Sequence, residues 1–148
     1  MVASKRQRSK QHDWAPYPGD PPPVSRTYRR RSAVAYARRW WRGHNPHYRF
    51  FRGNDCTNFI SQCVYAGSAP MSRHPNPVHN WWYEGSGKPT DTWSLSWTTA
   101  HSLFWFLATS PERSSGLRAV PVDRARDLEL GDLISYDWQG EGRWDHTT

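Results

Sequence analysis

A chain of 148 residues is long enough for one domain with a real core and too short for two of ordinary size. No run approaches the roughly 20 apolar residues of a membrane span. The basic, polar first ten residues lack the apolar stretch of a secretory signal, which leaves the cytoplasm as the default location. The net charge of +7 is uneven: residues 1–42 hold 11 Lys/Arg and 2 Asp/Glu, the remainder 9 and 11, so basicity belongs to the N-terminal part.

Residues 1–24 mix Lys and Arg with Pro16, Pro18, Pro21, Pro22 and Pro23, and read as a disordered basic, proline-rich arm. Such an arm is either a solvated tail or a contact for an anionic polymer. The domain proper, residues 25–148, opens with a predicted amphipathic helix from about Ser25 to Trp41. Ser25 or Thr27 would cap it, and Ala33, Ala37, Trp40 and Trp41 would form its apolar stripe. Gly43 and Asn45-Pro46 end it, and Tyr48, Phe50 and Phe51 lead to Gly53.

Next comes a short helix with a cysteine in its first turn. Cys56, Phe59, Ile60, Cys63 and Val64 recur at i, i+3, i+4, i+7 and i+8, and Gly67 stands where the helix should stop. Asp55 reads as the N-cap, with Asn54 able to share that role or to donate to an oxyanion beside the Cys56 N–H. A thiol at this place meets the positive end of the helix dipole, which favours the reactive thiolate. Cys56 is therefore the candidate nucleophile, and Cys63, two turns deeper, a core thiol. Seven helical residues separate Cα atoms by about 10.5 Å, beyond the roughly 7 Å a disulfide tolerates, so both thiols should be free.

Residues 68–95 form a long stretch rich in Pro, Gly and Asn, which points to a functional loop. Its Trp81, Trp82, Tyr83 and Trp93, with Trp97 beyond it, are either core or the wall of a substrate groove. A further helix is predicted from Ser96 or Thr98 to about Thr109, with Ala100, Leu103, Phe104 and Leu107 inward. Residues 133–138 alternate as a strand, 139–142 form a Gly-containing hairpin loop, and the partner strand carries His146. A cysteine at a helix start followed far downstream by a histidine on a strand is the order found in papain-like enzymes. His44, His47, His74, His79 and His101 are dispersed, and no metal-ligand spacing or phosphate-cradling loop occurs, so neither metal nor cofactor is expected.

The block Asp55-Cys56-Thr57-Asn58-Phe59-Ile60-Ser61-Gln62-Cys63, with Ala66-Gly67 and Pro70-Met71, closely resembles the signature of the bacterial "putative amidase domain" family. Tyr28, Ala33, Tyr36-Ala37, Asn45-Pro46, Trp81-Trp82-Tyr83, Ser96-Trp97-Thr98, the 130–137 segment and Asp145-His146-Thr147 resemble other pieces of it, in order. That family looks like a relative of papain-like cell-wall amidohydrolases, including the CHAP enzymes. The resemblance covers about residues 26–148. It implies an α+β, papain-like cysteine amidohydrolase fold, with N-terminal helices followed by an antiparallel sheet. Cys56 would be the nucleophile and His146 the base, acting on an amide such as a cell-wall peptide. The residue that orients the imidazole, and the last strands, would lie beyond Thr148. Two rival readings remain: a non-catalytic binding module or inactive truncated remnant of the same fold, and a binder of anionic polymers acting through residues 1–42.

Overall fold

A computed structural model of the chain describes residues 2–3, 28–109 and 117–148. In chain order its strands and α-helices are β1 (Val2–Ala3), α1 (Arg30–Trp40), α2 (Cys56–Ala66), β2 (Tyr83–Glu84), β3 (Thr92–Trp93), α3 (Leu95–Thr98), α4 (Ala100–Thr109), β4 (Val120–Pro121), β5 (Ser135–Tyr136) and β6 (His146–Thr147). The basic arm expected over residues 1–24, and the caps expected at Ser25 and Thr27, lie outside the described residues apart from the backbone pairing of β1 with β4.

The class is α+β, but the described strands form no continuous sheet. They make three antiparallel ribbons of two strands each: β1 with β4, β2 with β3, and β5 with β6. In the last, Ser135 stands opposite Thr147 and Tyr136 opposite His146. The expected six-residue strand over 133–138 shrinks to two paired residues because its second half is drawn into the hairpin loop. There the Asp137 carboxylate accepts the N–H groups of Gly140, Glu141 and Gly142. Burial alone would raise the Asp137 carboxyl; these N–H donors outweigh it and hold the group below its ordinary value.

α1 begins five residues later than the sequence suggests, with Arg29 at its N-cap position and no side-chain cap. Long-range contacts fix this end instead. Tyr28 donates its hydroxyl to the Gly131 carbonyl at 3.0 Å, and Arg30 hydrogen-bonds Asp132. The Arg29 N–H reaches the Gly67 carbonyl at 2.8 Å. Burial pushes the Tyr28 hydroxyl up to about 12, so it remains a donor at neutral pH. Ala33 is the buried point of α1. The apolar stripe stops short of Trp41, which is 63% exposed and lies under the Arg42 guanidinium.

α2 runs through the middle of the fold, against α1, α3, α4 and β6. It starts at Cys56 and stops before Gly67, as its periodicity predicts. Its buried face is wider and more polar than that pattern implies. Thr57, Asn58, Ser61 and Gln62 are buried with Cys63 and Val64, while Phe59 and Ile60 are half-buried. A buried polar side chain needs a partner. The Trp97 indole donates to Asn58 Oδ1 at 2.9 Å, the Trp81 indole to Ser61 Oγ at 3.1 Å, and the Tyr36 hydroxyl to Gln62 Oε1 at 2.7 Å.

Trp81 and Trp97 are fully buried and lie 4.8 Å apart between ring centroids, with Leu103, Phe106 and Leu107 of α4 completing the core. The helix expected over 96–109 is divided. Thr99 is extended (φ −117°, ψ 126°); its N–H closes α3 on the Leu95 carbonyl and its own carbonyl accepts the Leu103 N–H. Residues 68–95 are also more ordered than their composition suggests. Ser72 bridges Trp81, Asn76 caps a turn of 3₁₀ helix over Pro77–His79, and Asp91 gathers the Ser86 and Gly87 N–H groups and the Tyr83 hydroxyl.

Candidate active site

The first turn of α2 displays Cys56 half-exposed, with its Sγ 3.7 Å from Thr57 Oγ1. Asp55 holds the N-cap position but does not cap. Its carboxylate is turned away, accepting the Phe51 N–H at 2.9 Å and the Asn58 side-chain amide at 2.9 Å. The expectation of a capping Asp55 is thus corrected: two other donors, one from the incoming chain and one from the third helical residue, occupy the oxygen that would cap. Asp55 leaves the N–H groups of the first turn, that of Cys56 among them, without its side-chain cap. Asn54 is exposed just before the helix; its N–H closes a turn on the Phe51 carbonyl, aided by Gly53 at φ +80°.

The second cysteine differs in surroundings, not in helix. Cys63 is 5% exposed, and burial pushes its thiol up to about 12, so it stays protonated and unreactive at neutral pH.

β6 packs against both α2 and α4. Thr147 takes the inward position of this strand, 1% exposed, across from buried Ser135. His146 takes the half-buried position, with its ring centroid 5.7 Å from Tyr136 and 6.4 Å from Trp138. The imidazole makes no hydrogen bond among the described residues, and none joins it to Cys56. Asp145 is committed elsewhere: its carboxylate accepts the Trp138 N–H at 3.1 Å and fixes the hairpin. β6 thus lies beside the helix that bears the candidate nucleophile, and both side chains are accessible.

Of the two readings open for Trp81, Tyr83 and Trp97, core or groove wall, the structure shows core. These residues are 0%, 6% and 0% exposed. Their polar atoms are used internally, the two indoles by α2 and the Tyr83 hydroxyl by Asp91 and by the Arg49 N–H at 2.7 Å. Trp82 is half-buried under Arg73, whose guanidinium lies 4.1 Å above its ring. An open recess lies elsewhere, lined in part by the segment that precedes α2. About 680 Å³ in volume, it is lined by the Arg49–Asn54 segment on one side and by Pro89, Trp93, Thr98 and Thr99 on the other. Sequence reasoning missed it because its walls are distant in the chain. The clue available was Arg49 and Arg52 interleaved with Phe50 and Phe51 immediately before the cysteine loop.

A family model described as "Putative amidase domain" matches residues 27–148. The chain belongs to this family. The amidase-family chain is 50% identical over 121 residues to "Uncharacterized protein YhbB" of Bacillus subtilis (strain 168), covering 82% of the chain and 36% of that protein. It is 26% identical over 124 residues to "Uncharacterized protein YjcM" of the same strain, covering 78% of the chain and 26% of that protein. The chain therefore spans about a third and a quarter of these relatives. No solved structure matches. No described helix is long and apolar enough to cross a membrane.

Proposed function

We propose that this domain is a papain-like cysteine amidohydrolase in which Cys56 is the nucleophile and His146 the general base. The observation that carries the reading is the first turn of α2. A half-exposed thiol stands there on an uncapped helix start, beside the strand that bears the histidine, in a chain of an amidase family. The Cys56 sulfur attacks the amide carbon, and the oxyanion receives the Cys56 N–H. His146 takes the thiol proton and passes it to the departing nitrogen as the C–N bond breaks. Water then adds to the thioester, releasing a carboxylate and restoring the thiol. The two side chains need not be hydrogen-bonded in the free protein, since such contacts tighten when substrate is bound. Peptide amides of the cell-wall type are the substrate class that the family resemblance favours.

An electrophilic probe built on a peptide amide tests this. Labelling that disappears in Cys56→Ser and persists in Cys63→Ser supports the proposal. Equal labelling of both thiols, or none, overturns it and leaves a binding module of the same fold.

A further inference from the structure

The recess before α2 carries a chemistry that the catalytic reading does not use. Arg49 and Arg52 line it, both exposed, and neither guanidinium has an ion-pair or hydrogen-bond partner among the described residues. None of the lining residues is acidic. The facing wall sets Pro89 and Trp93 beside Thr98 and Thr99, with Trp93 half-buried and edge-on to Phe51 at 5.0 Å. Two unpaired cations over an aromatic wall make a cleft complementary to an anion attached to an apolar or extended body.

The backbone of this cleft is fixed from within. The Arg49 N–H donates to the Tyr83 hydroxyl at 2.7 Å, and its carbonyl accepts the Asn58 amide at 2.8 Å. The Phe51 N–H is held by Asp55. Tyr83 is held in turn by Asp91, and Asn58 by Trp97. The two buried residues that anchor the shelf, Tyr83 and Asn58, thus connect it to the core and to the first turn of the cysteine helix. A rigid backbone lowers the ordering cost of binding, because only the two side chains must be immobilised.

We infer that this cleft is a substrate subsite for an acidic peptide segment, with Arg49 and Arg52 pairing its carboxylates and Trp93 packing against its chain. The inference rests on the amidohydrolase reading, since it places the acidic segment of the amide substrate beside Cys56. Asn54, two residues before the nucleophile in the chain, lines the cleft. The segment acts as a specificity determinant: it selects substrates and takes no part in bond breaking.

The test separates binding from catalysis. In the full chain carrying Cys56→Ser, the affinity of a fluorescent tetrapeptide containing two Glu is compared with that of its Gln counterpart by anisotropy. The Glu peptide should bind at least about tenfold tighter at low salt, with the preference shrinking as salt rises. Arg49→Gln and Arg52→Gln should each weaken Glu-peptide binding by about tenfold and leave Gln-peptide binding unchanged. Both side chains are exposed, so an unchanged thermal midpoint confirms folding. Equal affinity for the two peptides, no binding of either, or full Glu preference in the double arginine variant overturns the inference. Because the thiol is absent, these results stand apart from the labelling of Cys56. A chain that labels at Cys56 yet shows no Glu preference loses the subsite and keeps the enzyme.

Discussion

Trp97 and Trp93 stand four residues apart and end in opposite environments. Trp97 is fully buried and gives its indole N–H to Asn58. Trp93 is half-buried on the wall of the cleft, and its indole makes no hydrogen bond among the described residues. The first belongs to an inner set, with Trp81 and Tyr83, whose polar atoms are all spent on the protein itself. The second belongs to an outer set, with Arg49 and Arg52, whose side-chain polar atoms have no partner among the described residues. An aromatic residue with a satisfied polar handle is a fastener. One beside unpaired cations is a surface for something else. The same short segment, Asp55 to Asn58, serves both, holding Trp97 inside and the arginine shelf outside.

The largest effect should follow from breaking the inner set. Trp97→Ala removes the centre of the aromatic core and should lower unfolding stability by about 3–5 kcal/mol, read as a fall in the urea midpoint. Trp97→Phe keeps most of the packing but strands the Asn58 side-chain oxygen, and should cost about 1–3 kcal/mol by the same measurement. Trp93→Phe, on the outer set, should cost less than Trp97→Phe, because no partner is left stranded.

A smaller effect should appear with pH. Burial alone would raise the Asp91 carboxyl, but the Tyr83 hydroxyl and the Ser86 and Gly87 N–H groups outweigh it and hold it below its ordinary 3.8. A carboxylate depressed in the folded state contributes stability that is fully present above the unfolded value and is lost as pH falls through the folded one. Stability should therefore decline below about pH 4, and Asp91→Asn should flatten part of that decline. Thermal midpoints of the two chains between about pH 6 and pH 2 check the sign. Smallest of all, Arg49→Gln with Arg52→Gln should leave stability within about 0.5 kcal/mol, as expected for exposed, unpaired side chains.

The sequence showed the cysteine helix well, because Cys56, Phe59, Ile60, Cys63 and Val64 mark one face and Gly67 marks the end. It did not show that Asn58, Ser61 and Gln62 are buried. Their partners Trp97, Trp81 and Tyr36 lie 39, 20 and 26 residues away, and local periodicity carries no information about such pairs. The same gap left Trp81, Tyr83 and Trp97 open between core and groove, since composition cannot distinguish an aromatic with a buried partner from one without. The single predicted helix over 96–109 hid the break at Thr99, where an extended residue turns one helix into two. The placement of Cys56 at a helix start and of His146 on a late strand was legible in the sequence. The cleft was not, because Arg49 and Trp93 meet only in three dimensions.

The central claim is that Cys56 and His146 act as one unit. Its most direct test is the single-turnover acylation rate of a peptide-amide probe in the parent chain, in His146→Ala and in Cys56→Ser, with the adduct located by mass spectrometry. The account predicts an adduct on Cys56, slowed by at least about a hundredfold in His146→Ala and absent in Cys56→Ser. An adduct on Cys63, or a Cys56 adduct that forms at the parent rate without His146, would contradict it.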